Sequence, residues 1–250
     1  MSTALSVNLN KIALLRNSRT DNNPDLIEFA ELALEAGAAG LTAHPRPDQR
    51  HIRASDIPLL ATCALKNKVE FNIEGNPFCQ AEGSYPGFLS LVEAARPAQC
   101  TLVPDTNSQL TSDHGFNLKQ DSERLKPIIT QLQSWGCRVS LFMDPDVEQI
   151  KLAAETGADR IELYTGPYAE AFKQGDPAAQ AVFQQHKEAA LTAHKLGLGI
   201  NAGHDLNLKN LVLYAQLPHL AEVSIGHALT ADALHLGFSQ AVKAYAQLCI

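Results

Sequence analysis

The feature that most constrains this chain is an alternation: eight times, a short β-prone run is followed by a longer helical stretch. The runs are Leu5 to Asn8, Gly40 to Ala43, Glu70 to Ile73, Gln99 to Val103, Arg138 to Phe142, Arg160 to Tyr164, Gly199 to Asn201 and Glu222 to Ile225. After the first run comes a polar loop, and Pro24 then opens a helix to about Ala36, with Gly37 just past its end, the usual punctuation of a helix. Further helices are expected from Asp56 to about Leu65, capped by Ser55 or by Asp56 itself, from Phe88 to Ala95, and up to about Trp135. Four more follow: Val147 to Thr156, Ala178 to Leu196, Leu208 to Gln216, and a final helix to about Leu248. The segment from Gly75 to Gly87 is turn-rich, and the polar loop from Pro104 to Asn117 is long enough to suggest function. Strands separated by helices pair in parallel, and eight such units in 250 residues close into a (β/α)8 TIM barrel, a single domain over residues 1–250. An echo between Glu35-Ala-Gly-Ala38 and Glu155-Thr-Gly-Ala158 adds little, because glycine commonly ends helices.

Charge and cysteine content narrow the function. Twenty Lys and Arg against 27 Asp and Glu give a formal net charge of −7, which opposes the broad positive field of a nucleic-acid binder. Small anions remain suitable partners, since a few arginines and backbone N–H groups build a local positive pocket. The five cysteines are widely spaced and form no Cys-x-x-Cys pair, so neither a disulfide framework nor a zinc knuckle is expected. Residues Met1 to Asn10 lack the pattern of an export signal, and no stretch approaches the roughly 18 apolar residues of a membrane span. A cytoplasmic protein is the expectation.

In a barrel of this kind the loops beyond the carboxyl ends of the strands build the active site. Those positions hold Asn8, Asn10 and Lys11 after the first strand, and His44, Arg46, Arg50 and His51 after the second. Glu74 follows the third and Asp144 the fifth; the sixth carries Glu162 and ends at Thr165. Asn201 and His204 belong to the seventh, Gly226 and His227 to the eighth. Four of the nine histidines therefore fall at strand ends, where imidazole is well suited to move protons near neutral pH. The other five, His114, His186, His194, His219 and His235, are expected to be mostly solvated. The run from His44 to Ile52 reads as an anion clamp with a proton carrier at its base, with a salt-bridged surface loop as the lesser alternative. Glu74 suits a general base or an ion pair to a neighbouring arginine. The turns Asn201-Ala-Gly-His204 and Ile225-Gly-His227-Ala are related, and barrels frequently bind phosphate at this pair of strand ends. Lys11, Arg19, Arg46 and Arg50 are expected to form a cationic rim hidden beneath the net negative charge.

Taken together, these residues resemble the pyridoxine 5′-phosphate synthase family of vitamin B6 biosynthesis, almost end to end. The resemblance rests on the run Val7 to Ala13 with Leu15-Arg-Asn-Ser-Arg19, on His44-x-Arg-x-Asp-x-Arg-His51-Ile, and on Leu102-Val-Pro104 with Thr111. Ile161-Glu-Leu-Tyr-Thr-Gly166, Asn201-Ala-Gly-His204 and Ile225-Gly-His-Ala228 complete it. It implies that 3-amino-2-oxopropyl phosphate and 1-deoxy-D-xylulose 5-phosphate are joined to give pyridoxine 5′-phosphate, phosphate and water, with no organic cofactor and no metal. By resemblance His44 and Glu74 accept protons, His204 donates one, and Glu162 stabilises charge in the transition state. Asn8, Arg19, Gly226 and His227 would hold the amino-ketone phosphate, and Arg46, His51 and Thr111 the deoxyxylulose phosphate; octameric assembly is also implied. The chain departs from the commonest family pattern at Asn10-Lys11, where many members have Asp-His, and at Pro47, which replaces an acidic residue. Asp205 stands where a glycine contacts phosphate, and the loop after Pro104 lacks the usual Arg and Glu. This pattern implies a variant branch with the same reaction, with Asn10, Lys11 and Asp205 as candidate substrate contacts.

Two other classes compete. One is a metal-dependent phosphosugar hydrolase or epimerase using His44, Glu74, Asp144, His204 and His227 as ligands, although no His-x-His or similar close pair is present. The other is a non-catalytic binder of phosphorylated ligands, which has no need of the matched acids and bases His44, Glu74 and His204.

Overall fold

The protein is described by a computed structural model covering residues 3–106 and 108–249. In chain order its elements are β1 (Ala4–Asn8), α1 (Asn10–Arg16), α2 (Leu26–Glu35), β2 (Gly40–Ala43), α3 (Asp56–Asn67), β3 (Glu70–Gly75), α4 (Phe88–Ala95) and β4 (Gln99–Leu102). They continue through α5 (Leu118–Ser134), β5 (Arg138–Met143), α6 (Val147–Glu155), β6 (Arg160–Tyr164), α7 (Gly166–Gln174) and α8 (Asp176–Lys195). The last are β7 (Gly199–Gly203), α9 (Leu211–Tyr214), β8 (Leu220–Ile225), α10 (His227–Leu236) and α11 (Phe238–Leu248). The strands pair in parallel in sequence order, and β1 closes on β8 with Val7 opposite Ile225, so the expected (β/α)8 barrel is the fold.

Strand periodicity sorts the side chains into two sets. Leu5 and Val7, Leu41 and Ala43, Phe71 and Ile73, Val139 and Leu141, Ile161 and Leu163, and Val223 and Ile225 are all buried. They pack with the apolar faces of the helices, among them Ala30 and Ala33 of α2, Ile57 and Leu60 of α3, and Leu125, Ile129 and Leu132 of α5. Most of the intervening residues are polar and face the barrel interior, with Phe142 an apolar exception. Ser6 Oγ and Thr42 Oγ1 lie 2.7 Å apart, Asn72 Nδ2 donates to Thr42 Oγ1 at 3.4 Å, and Thr101 Oγ1 donates to Asn72 Oδ1 at 3.2 Å. Below this layer Glu222 accepts from Arg160 Nη1 at 3.2 Å, Gln99 Nε2 at 3.4 Å and Asn201 Nδ2 at 3.5 Å. A register shift in the β7–β8 pairing, where Ile200 faces Leu220 but Asn201 faces Glu222, brings these two side chains level.

Several elements differ from the sequence reading. The polar loop after β1 contains α1, whose N-cap position is Leu9 and therefore offers no side-chain signal. Helix α2 starts at Leu26, because Asp25 accepts from Ile27 N at 2.8 Å and Glu28 N at 3.1 Å. Neither candidate caps α3: Ser55 makes no side-chain cap bond, while Asp56 is committed to Arg16. A separate α7 precedes α8, the helix from Leu208 shrinks to the single turn α9, and the last helix is broken at Gly237, whose φ is +79°. His186, expected among the mostly solvated histidines, is fully buried against Tyr214, whose hydroxyl lies 2.8 Å from its Nδ1. No helix among the described residues is long and apolar enough to cross a membrane.

Candidate active site

A cavity of about 300 Å³ opens at the carboxyl ends of the strands. Its lining brings together all four predicted proton-transfer and charge-stabilising residues: His44, Glu74, Glu162 and His204. Asn8, Asn10, Lys11, Arg46, His51, Thr111, Asp205, Gly226 and His227 line it as well. Arg19 is the predicted site residue that does not: it is exposed, with Nη1 donating to Ser18 O at 2.8 Å. Arg50 also lies off the cavity, its Nη1 donating to Gln109 O at 3.0 Å and its guanidinium paired with Asp48 at 2.6 Å. Of the four expected rim cations, Lys11 and Arg46 therefore face the cavity.

The floor is set by strand parity. Glu74 continues the inward set Glu70 and Asn72 on β3, and its Oε2 accepts from Asn8 Nδ2 at 3.2 Å while Ser224 Oγ donates to Oε1 at 3.4 Å. His44 caps the inward set of β2, with Nδ1 3.8 Å from Glu74 Oε2. Burial, reinforced by the negative charge of Asp105, pushes the Glu74 carboxyl up to about 7. Burial, then the charges of Arg46, His51 and Arg50, hold His44 well below the usual imidazole range. Glu162, buried on β6, is likewise raised well above the carboxylate range by burial and by Glu74. A neutral imidazole thus stands beside a carboxyl that titrates near neutrality, an arrangement suited to repeated proton exchange.

The second wall is the loop from His44 to His51. His51 Nδ1 accepts from Ile52 N at 2.9 Å, which places the proton of the neutral ring on Nε2, and burial with Arg46 and Lys11 nearby depresses it to about 3. Arg16 and Asn17, from the Leu15–Arg19 motif, carry this loop from below. The buried Arg16 guanidinium pairs with Asp56 through two bonds of 2.8 and 2.9 Å, and Asn17 Nδ2 donates to His51 O at 2.7 Å and Arg50 O at 3.1 Å. Asn10 has a structural duty too, its Oδ1 accepting from His44 N at 2.9 Å.

Sequence reasoning missed Asp105. Its buried carboxylate pairs with Arg46, accepts from Ser112 Oγ at 3.0 Å, and lies 3.5 Å from His44 Nε2. The signal was its place immediately after Pro104, at the root of the long polar loop. Arg46 also donates to Thr106 O at 3.3 Å and Gln109 O at 3.4 Å, so it ties that loop down across the mouth. At the far side Thr111 Oγ1 lies 2.8 Å from His204 Nε2. The turn carrying His204 is fixed by Thr165, whose Oγ1 donates to Gly203 O at 2.6 Å and to His204 O. Gly203 is required by the packing, since a Cβ there would meet Glu162 Oε1 at 2.5 Å.

Gly226 and His227 open α10 beside Asn8, offering backbone N–H groups at a helix start where an anion is favoured. Among the described residues no group of three or more His, Cys, Asp or Glu side chains is arranged to hold a metal ion. Asp144 does not line the cavity; its Oδ2 accepts from Gly115 N at 3.2 Å. Asn201, read as a strand-end residue, lies in the lower interior layer, where it accepts from Arg160 at 2.9 Å.

The family model described as "Pyridoxal phosphate biosynthesis protein PdxJ" matches residues 5–250. The chain is 54% identical over 246 residues to the "Pyridoxine 5'-phosphate synthase" of Xanthomonas campestris pv. campestris, covering 98% of this chain and 95% of that one. It is 50% identical over 244 residues to the protein of the same name from Xylella fastidiosa, covering 97% and 93% respectively. Among solved structures, a Mycobacterium tuberculosis tryptophan synthase chain superposes with a TM-score of 0.65 at 11% identity, covering 99% of this chain and 93% of that one. A thiamine phosphate pyrophosphorylase from Pyrococcus furiosus does so with 0.62 at 12% identity, covering 98% and 95%. The last two likenesses concern the barrel alone.

Proposed function

The chain belongs to the family of the pyridoxal phosphate biosynthesis protein PdxJ, and from that premise we propose which side chains carry its reaction. The reaction is that of a pyridoxine 5′-phosphate synthase, a ring-closing condensation in vitamin B6 biosynthesis. It joins 3-amino-2-oxopropyl phosphate to 1-deoxy-D-xylulose 5-phosphate. Imine formation, enolisation and dehydration all need protons moved at one place sheltered from water. The observation that carries our assignment is the His44–Glu74 pair, 3.8 Å apart on the floor of the cavity that His204 and Glu162 also line. His44 and Glu74 act as proton acceptors, His204 donates from the opposite wall, and Glu162 meets charge developing between them. The amino-ketone phosphate is held at Asn8, Gly226 and His227, where the α10 N-terminus supports an anion. Arg46, His51 and Thr111 hold the other phosphate, with Asn10 and Lys11 beside them. Arg19, exposed and outside the cavity, has no role within this chain's own pocket.

The chemistry is assigned to side chains without an organic cofactor or metal, and the setting to the cytoplasm. Homo-octameric assembly is what the family resemblance implies, and sedimentation tests it. The direct test of the function mixes both substrates with purified protein and follows pyridoxine 5′-phosphate by absorbance and mass. Product is expected; its absence where a reference enzyme works would overturn the reading.

A further inference from the structure

We propose that Asp205 is a positioning residue for His204: its carboxylate fixes the imidazole proton on Nδ1, so that Nε2 is the atom presented to the cavity. The proposal rests on the reading of His204 as proton donor. Consecutive side chains on a strand point to opposite faces, so residues 204 and 205 would not ordinarily meet. They meet here because both leave the strand with positive φ, +90° at His204 and +57° at Asp205. Left-handed backbone at two successive non-glycine residues is costly and persists only where surrounding contacts enforce it. Those contacts are present: Thr165 Oγ1 donates to the carbonyls of Gly203 and His204, and Asn210 Nδ2 donates to Asp205 O at 3.1 Å. Glycine would occupy the position after His204 without strain, so the retained side chain calls for a reason.

The reason lies in the geometry of the ring. His204 Nδ1 is 3.1 Å from Asp205 Oδ2, and Nε2 is 2.8 Å from Thr111 Oγ1 on the other side. The Tyr164 ring packs edge-on with its centroid 5.3 Å away, fixing the plane of the imidazole. The hydrogen bond from His204 holds the Asp205 carboxyl below its usual range, so it is ionised at neutral pH and can only accept. Nδ1 must then donate, and in the neutral ring Nε2 carries the lone pair, which the Thr111 hydroxyl fills until substrate arrives. A proton taken up at Nε2 creates an imidazolium whose charge the adjacent carboxylate offsets, and that same proton is the one donated. Other charged groups bear on the pair from each side. Lys173 of α7 and His227 at the head of α10 act on Asp205, and Glu162 lines the shared cavity. Asp205 thus turns a residue that would oppose a phosphate into part of the proton-transfer apparatus.

The test combines imidazole ¹⁵N NMR of the full-length protein at mildly alkaline pH, without substrates, with steady-state kinetics. Comparison with H204Q identifies the His204 signals. Wild-type protein should show Nδ1 protonated and Nε2 bearing the lone pair. In D205G, which removes the partner and the strain together, the Nε2-protonated tautomer should appear, while D205N, whose amide Oδ1 can still accept from Nδ1, removes the negative charge alone. In both variants kcat should fall about 10²-fold, the range for a misplaced acid–base group, with KM changed little. A purely Nδ1-protonated His204 in folded D205G would overturn the proposal, as would unchanged kcat in either folded variant. Because the NMR arm needs no turnover, a wild-type protein with the stated tautomer and no product would count against the assigned reaction and not against the pairing.

Discussion

Glu74 and His44 sit together with opposite protonation preferences, and each preference has a stability consequence that can be separated from catalysis. Burial raises the Glu74 carboxyl to about 7, so the folded state favours its protonated form. That contribution is complete below the unfolded value of 4.5 and is lost as pH rises through about 7. Above neutrality the wild-type fold therefore carries a buried carboxylate that glutamine would remove without changing shape. Glu74→Gln should melt at a higher temperature than wild type at pH 8, with the advantage disappearing below pH 4.5. Its turnover should fall by about 10² to 10⁴, the usual range for a lost general base, while KM moves little. A variant that melts lower at pH 8, or that keeps near-wild-type kcat, would contradict the role given to Glu74. The rise in stability with loss of activity is what a strained functional residue produces.

The barrel strands position the site through their two-residue period. On β6 the inward set is Arg160, Glu162 and Tyr164; on β7 it is Gly199, Asn201 and Gly203, so Gly203 lies on the same inner surface as Glu162. A methyl group at Gly203 would stand 2.5 Å from Glu162 Oε1 and 2.9 Å from Ser224 O, and the carboxyl is the partner free to move. Gly203→Ala should therefore cost about 1–3 kcal/mol by overpacking, leave the far-UV circular dichroism unchanged, and cut kcat by displacing Glu162. Equal kcat in a folded variant would show that the exact placement of Glu162 is immaterial. The eight strands were legible because Gly, Pro and short β-branched runs punctuate them, and the rim followed from the barrel alone. The inner polar stripe was legible in principle, from Ser6 and Asn8 or Asn72 and Glu74 at alternate positions, but a fully buried strand is normally read by its apolar residues. Helix α1 escaped because Leu9 at its start carries no capping side chain; α7 does carry a start signal, Thr165 with a proline in the first turn, but Thr165 makes no cap bond and the helix follows directly on β6. Asp105 and the Arg16–Asp56 pair escaped for a different reason, since contacts spanning 59 and 40 residues leave no local pattern.

Across the whole molecule the buried titratable groups pull stability in opposite directions over the same pH range. His44, His51 and His186 are all held neutral by burial, His51 to about 3 and His186 to about 4. Their contribution is fully present above the unfolded value of 6.5 and is lost as pH falls toward the folded values. Glu74, Glu162, Asp105 and Glu222 are all raised by burial, so their contribution is fully present in acid and lost as pH rises. Each proton bound differently by folded and unfolded chains changes stability by about 1.4 kcal/mol per pH unit. Between about 4.5 and 6.5 the unfolded chain binds extra protons at three histidines while the folded chain binds extra protons at the carboxyls, and the slopes offset. Below 4.5 the raised carboxyls are protonated in both states, leaving the histidines to drive a steep loss. Above 6.5 the histidines are neutral in both states, leaving Glu74, which titrates at about 7, to produce a decline, with Glu162 raised in the same direction by burial and by Glu74. Urea midpoints measured from pH 4 to 8.5 should therefore form a plateau between about 4.5 and 6.5 that falls on both sides. In the Glu74→Gln, Glu162→Gln double variant the alkaline fall should be much reduced, while the acid fall stays. A midpoint that rises steadily to pH 8 in the wild type would mean that the two interior carboxyls ionise freely, and the proton-exchanging floor of the cavity would lose its physical basis.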